Sequence, residues 1–263
     1  MELEIRDKVF IVSGGASGIG EAIVRGIAAE GGIPIIVEKN GERAVALCQE
    51  LNQKGSPCLA IEKELNQAEG CQEVVEQVVA QISRIDGLIN NAGVNDGISL
   101  ENGSPGEWMQ SLDRNLHHYF FLAHFALPYL KQTRGSIVNI SSKTALTGQG
   151  GTSAYAAAKG AILALTREWA VELLSYQIRV NAIVPSEVFT PMYEQWINSF
   201  PEPRKKLEDI QHQIPLEKRM TKPTEIADMV LFLLSERAAH ITGQHLFVDG
   251  GYVHLDRSLN TLH

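Results

Sequence analysis

The sequence predicts a doubly wound α/β fold: one seven-stranded parallel sheet with helices on both faces. Three observations predict it. Seven short apolar runs recur along the chain, they alternate with longer segments of helical spacing, and a glycine-rich turn joins the first run to the first helical segment. Runs rich in Val and Ile with little polar alternation are typical of strands buried on both faces. Strands alternating with helices imply right-handed βαβ units. In chain order the strands are VFIVSG (9–14), PIIVEK (34–39), CLAIE (58–62), GLINNAG (87–93), GSIVNISS (135–142), IRVNAIVP (178–185) and HLFVDGG (245–251). Helical spacing covers 18–31, 41–54, 67–84, 104–132, 153–175 and 224–235. No repeat, low-complexity tract or linker interrupts this alternation, so residues 1–263 read as a single domain. The long segment 186–222, which carries Pro191, Pro201, Pro203 and Pro215, lacks a regular pattern and is expected to be a lid or insertion over the site.

Composition narrows the function classes. With 44% hydrophobic and 21% charged residues, the chain can bury a sizeable core. A net charge of −8 argues against nucleic-acid or anionic-membrane partners. Cys48, Cys58 and Cys71 show neither CxxC nor metal-ligand spacing, so no metal site is expected, and their odd number fits reduced thiols in a cytoplasm. The start MELEIRDKVF is too polar for a signal peptide, and no apolar run approaches the roughly 20 residues that span a bilayer. A cytoplasmic protein is expected.

The turn Ser13-Gly-Gly-Ala-Ser-Gly-Ile-Gly20 places Gly14, Gly18 and Gly20 between a strand and a helix. Glycines there permit a tight turn and close approach to a pyrophosphate, while the helix N-terminus favours the anion. A nucleotide therefore belongs at this turn. The spacing is GxxxGxG, not the commoner GxGxxG. Glu38, at the end of the second strand, can accept hydrogen bonds from both adenosine ribose hydroxyls and would repel a 2′-phosphate; the adjacent Lys39 can attract one. The balance points to NAD, with NADP possible. Farther along, SAYAAAKGA (153–161) sets Tyr155 and Lys159 one helical turn apart on one face. A phenol ordinarily ionises near ~10, too high for efficient proton transfer at neutral pH. An ammonium beside it favours the phenolate.

The turn is followed in order by Asn90-Asn-Ala-Gly93, Asn115, Ser142, Tyr155 and Lys159. This set resembles the short-chain dehydrogenase/reductase family from end to end. The resemblance implies a single-domain Rossmann fold, a homotetramer or homodimer, and a nicotinamide cofactor. It implies that Tyr155 is the acid/base, that Lys159 also binds the nicotinamide ribose, that Ser142 stabilises the reacting oxygen, and that Asn115 holds a proton-relay water. It further implies that Gly14, Ser17, Gly18, Ile19 and Gly20 surround the diphosphate and that Glu64 and Leu65 flank the adenine. Asn90, Ala92 and Gly93 would line the adenosine side, and Pro185, Val188 and Thr190 the nicotinamide end. Two positions depart from the family pattern: Ser13 replaces the usual Thr but keeps a hydroxyl, and Pro185-Ser186 replaces Pro-Gly.

Substrate recognition is expected from Asn95, Asp96, Lys143, Gln149, Glu187 and His254, beside Ser142 and Tyr155. So many donors and acceptors suit a polyol or sugar, because each buried hydroxyl needs a partner. Tyr193 and Trp196 would either cover an apolar sugar face or simply pack. The stretches GVNDGI (93–98), SSKTALTGQG (141–150) and FVDGGYVHLDR (247–257) are similar to the bacterial L-fucose dehydrogenases. That similarity implies oxidation of L-fucose or a related aldopyranose at the anomeric carbon to a lactone. Two alternatives stand beside it: turnover of another small ketone or secondary alcohol, and a non-catalytic nucleotide-binding sensor or scaffold.

Overall fold

A computed structural model describes residues 2–255. The seven strands are β1 Val9–Ser13, β2 Ile33–Glu38, β3 Leu59–Glu62, β4 Gly87–Asn90, β5 Ser136–Ile140, β6 Arg179–Pro185 and β7 His245–Val248. They pair in parallel in the order β3-β2-β1-β4-β5-β6-β7, with Val12 of β1 facing both Ile36 of β2 and Ile89 of β4. The order reverses between β1 and β4. Loops leaving these two strands diverge there and open a crevice at the strands' carboxyl ends, where such sheets bind ligands.

Alternation within the strands splits the core in two. Phe10 and Val12 point to one face, where they meet Ile23 and Ile27 of α1 (Gly18–Ala29), Leu47 of α2 (Gly41–Gln53) and Ile226 and Val230 of α9 (Pro223–Leu234). Val9 and Ile11 point to the other, against Val74 and Val78 of α3 (Ala68–Ile82), Tyr119 and Leu122 of α5 (His118–Thr133) and Ile162 and Trp169 of α6 (Ser153–Glu172). Each buried aliphatic or aromatic side chain contributes roughly 1.5–3 kcal/mol relative to exposure. Both faces must be covered for this sheet to persist in water.

Several expected boundaries shift. Strand β4 stops at Asn90, and residues 91–93 leave the sheet to form the crevice wall. The expected helix over 104–132 is interrupted: α4 (Pro105–Leu112) passes through a π-helical turn, Asp113–His117, into α5. Asn115 supplies the reason, because its Nδ2 donates to the Ser111 carbonyl at 3.0 Å, the acceptor an α-helix would give its backbone N–H. The segment 186–222, expected to be irregular, forms two short helices, α7 (Pro191–Ile197) and α8 (Pro203–His212), each opening on a proline at its first turn.

Candidate active site

The glycine-rich turn is built by close approach. Gly14 and Gly18 hold φ of +63° and +56°, and a Cβ on Gly20 would lie 2.0 Å from the Gly14 carbonyl oxygen. Ser17 caps α1 in extended conformation and makes no side-chain cap bond, so the first amides of α1 have no side-chain acceptor at that position. Ile19 lies in the same first turn, partly packed on the core. The Ser13 hydroxyl accepts from the Asn91 and Ala92 amides at 2.9 and 3.1 Å, and Asn91 Nδ2 donates to the Ser13 and Gly14 carbonyls at 3.0 and 3.1 Å. Ser13 thus does its work through the hydroxyl, and Asn91, which the sequence reading passed over, ties β4 to the turn. A Cβ on Gly18 would touch Thr190 at 3.1 Å, so the turn and the start of α7 face each other. A cradle that side chains would fill, lined by unclaimed amides, fits the diphosphate of a dinucleotide.

At the adenosine end Glu38 accepts from the Asn40 amide at 3.3 Å, and Lys39 is exposed. Glu62, the register partner of Glu38 on β3, adds a second carboxylate. Glu64 is exposed, and Leu65 leans on the second core. Gly93 is open to solvent, and Ala92, half-buried, gives its carbonyl to His118 Nε2 at 3.1 Å. Asn90 corrects the expectation. It is fully buried and donates to Asn139 Oδ1 at 3.0 Å, fastening β4 to β5 beneath the crevice, while its own Oδ1 is buried without a hydrogen-bond partner.

Ser142, Tyr155, Lys159 and Asn115 converge where β4 and β5 end. Ser142 follows β5, and its Oγ accepts from the Thr144 amide at 3.3 Å. Tyr155 is half-buried in the first turn of α6; burial pushes its phenol up to about 12, a hydrogen bond with Ser142 pulls down, and the Asp96 carboxylate adds to the rise. Lys159 is 2% exposed, and burial alone brings its ammonium down to about 7. Its Nζ donates to Tyr119 Oη at 3.0 Å and the Ile140 carbonyl at 2.9 Å, and stands 5.6 Å from the Tyr155 ring centroid. The expected charge assistance is therefore not what dominates Tyr155 in this arrangement; desolvation outweighs it. Asn115 spends its side chain on Ser111 and on the Val94 amide, which donates to Oδ1 at 2.7 Å. Any water it held would use its main chain.

On the substrate side the expected residues separate. Lys143 and Glu187, 8% and 13% exposed at the side chain, form an ion pair; Tyr193 Oη donates to Glu187 Oε2 at 2.6 Å, and Lys143 Nζ lies 4.0 Å over the Tyr252 ring. Tyr252 went unnoticed in the sequence because nothing local distinguishes it. Asn95 and Gln149 are exposed. Asp96 is corrected: its carboxylate is taken by Ser111 and Arg114. Trp196 stacks edge-on between Tyr193 and Phe200 at 5.2 and 5.0 Å, which favours packing for it. His254 packs edge-on against Phe247 at 4.3 Å, while Asp256 and Arg257 of the same tail lie outside the described residues. Pro185 closes β6, and Thr190 caps α7 through the Tyr193 amide at 3.2 Å. Val188 is corrected too, since its side chain sits in the first core and only its main chain, bridged to Thr221, borders the site.

A half-buried phenol next to a serine hydroxyl, a buried amine and an anion cradle can exchange a proton with an alcohol while a nucleotide is held alongside. Comparison with known proteins agrees. Residues 14–253 match the family model described as enoyl-(acyl carrier protein) reductase. The chain is 37% identical to the 3-oxoacyl-[acyl-carrier-protein] reductase FabG of Thermotoga maritima, over 95% of this chain and all of that one. It is 35% identical to the L-fucose dehydrogenase of Bos taurus, over 93% of this chain and 88% of the relative. The crystal structure of Cj0485 dehydrogenase superposes with a TM-score of 0.94 at 46% identity, covering 99% of both chains. Sheet order, cradle and sequence similarity together make this chain a member of the short-chain dehydrogenase/reductase family, whose enzymes use NAD(P) to oxidise CH–OH groups or to reduce the corresponding carbonyls.

Proposed function

We propose that the protein is an NAD-dependent sugar dehydrogenase that oxidises L-fucose or a related aldopyranose at the anomeric carbon to the lactone. The observation that carries this reading is the Lys143–Glu187 pair. A pocket for an acyl chain or steroid is mostly apolar, whereas here Lys143, the residue after Ser142, is buried and forms an ion pair with the largely buried carboxylate of Glu187. The pair is neutral overall yet keeps spare lone pairs on Glu187 and spare N–H groups on Lys143, which suits an uncharged molecule carrying adjacent hydroxyls. The similarity to L-fucose dehydrogenase supports the same class.

In this reading Tyr155 takes the proton of the anomeric hydroxyl, Ser142 holds the reacting oxygen, and Lys159 orients the nicotinamide ribose and favours the phenolate once its contacts rearrange. Gly14, Ser17, Gly18, Ile19 and Gly20 hold the diphosphate, and Thr190 meets the nicotinamide end. The nicotinamide, when bound, supplies the hydride acceptor. Glu38, with Glu62 beside it, favours NAD over NADP. The helices α7 and α8 serve as the lid.

The test is a screen of aldoses and simple alcohols with NAD and with NADP, followed by absorbance of the reduced cofactor. L-fucose, L-galactose and D-arabinose should be oxidised far better than D-glucose or cyclopentanol, because a site that binds ring hydroxyls leaves polar groups unpaired when one is inverted. Glu187→Gln should raise the sugar KM while leaving NAD binding intact. Glu38→Ala should move preference towards NADP by roughly 1–3 kcal/mol. A second reading, reduction of a 3-oxoacyl or other small ketone, is favoured by the similarity to FabG. Brisk turnover of such a ketone with no aldose oxidised would select it. Inactivity towards both classes with tight NAD binding would select a nucleotide-binding scaffold.

A further inference from the structure

Asp96 belongs to a chain of contacts beside Lys159. Its carboxylate accepts from Ser111 Oγ at 3.0 Å and from Arg114 Nη2 at 2.9 Å, and its side chain is 11% exposed. Ser111, fully buried, receives Asn115 Nδ2 at both its carbonyl and its hydroxyl, 3.0 and 3.3 Å away. Asn115 Oδ1 in turn accepts from the Val94 amide at 2.7 Å. Val94 and Asp96 are two residues apart, so the loop after β4 is fastened to the π-helical turn at both points. Gly93, open to solvent on one side, faces these contacts on the other: a Cβ would lie 2.9 Å from Asn115 Oδ1 and 3.4 Å from Lys159 Nζ.

We propose that Asp96, paired with Arg114, is a positioning residue that locks the π-helical turn and the Gly93–Val94 backbone against Lys159 and sets the field in which Tyr155 exchanges its proton. The carboxylate acts through neighbours, not on substrate. Around Tyr155 the other titratable groups contribute little net negative charge. Lys159 stands on the same helix; Tyr119 from α5 stays a neutral phenol because burial raises it; His118, brought down to about 4 by burial, is neutral; Lys143 and Glu187 cancel. Asp96 opposes the phenolate, and Arg114 partly offsets Asp96. The inference rests on Tyr155 as the proton-transfer group and not on the sugar.

The experiment is the pH profile of kcat/KM for alcohol oxidation with NAD, using L-fucose, or cyclopentanol if L-fucose is not oxidised. Oxidation needs Tyr155 deprotonated, so the rate rises with pH on the acid limb. Asp96→Asn keeps an acceptor for Ser111 but removes the charge, and should shift that limb to lower pH by on the order of half a unit. Arg114→Met leaves Asp96 uncompensated and should shift it to higher pH by a similar amount. Asp96→Ala should lose about tenfold in plateau kcat, which Asp96→Asn largely recovers, with NAD affinity nearly unchanged in both. A general loss of structure would move the Asn and Met variants the same way. Shifts in one direction, or none, overturn the proposal even if Asp96→Ala fails to fold. Full turnover by Tyr155→Phe would instead overturn the reading of Tyr155.

Discussion

Tyr155 and Lys159 are legible in the sequence as a pair one turn apart, but their partners are not. Tyr119, which receives Lys159 and donates to the Ile140 carbonyl at 2.9 Å, stands forty residues away on α5. The pair carries two predictions. Tyr155→Phe should reduce turnover by at least a thousandfold while NAD affinity, read by fluorescence titration, stays within about twofold, since only the transferable proton is lost. Lys159→Met should lose activity yet melt at or above the parent temperature at pH 7. Burial lowers the folded-state value of Lys159 to about 7 from an ordinary 10.5. Between those values the unfolded chain binds the extra proton, so this group makes the parent more stable as pH rises from 7 towards 10. The melting advantage of Lys159→Met should therefore shrink over that interval, and thermal melts at pH 7 and 9.5 measure it.

The cofactor end depends on elements meeting. Strand β1, the turn and α1 can be read from residues 9–31, since apolar runs, glycines and helical spacing are local signals. What ties the turn down is Asn91, just past β4, whose side-chain amide donates to the Ser13 and Gly14 carbonyls. Asn91→Ala should lower stability by about 1–3 kcal/mol for the lost bonds and weaken NAD binding more than it affects kcat. Denaturant midpoints and cofactor titration check both. The π-helical turn has the same character. Its cause, Asn115 displacing a backbone bond, is a local side chain, yet helical periodicity over 104–132 hides it because apolar spacing barely changes across one extra residue.

At the scale of the whole molecule, large apolar side chains on helices remain exposed among the described residues. Phe120 on α5 is 50% exposed, Val171 in the last turn of α6 is 70% exposed, and Leu174 just beyond α6 is 57% exposed. Exposed apolar surface shared by two adjacent helices favours association. Light scattering should give a dimer or tetramer, and Phe120→Glu should lower its molecular mass; a monomeric parent would remove the argument. No helix among the described residues is long and apolar enough to cross a membrane.

By itself the sequence determined the strand succession and the glycine turn, outlined most of the helices but not α7 and α8, and singled out Ser142, Tyr155, Lys159 and Asn115, because periodicity, glycine backbone freedom and fixed motif spacing are properties of short segments. Tertiary structure alone decided which polar side chains are already claimed by protein partners. Asn90 and Asp96 carry side chains as suited to binding as any, but sheet pairing buries one under the crevice and Ser111 and Arg114 claim the other. Lys143 and Glu187, forty-four residues apart, become one neutral unit only when β5 and β6 end side by side. A polar group's role is set by the partner that satisfies it, and partners distant in the chain are chosen by the packing of the sheet.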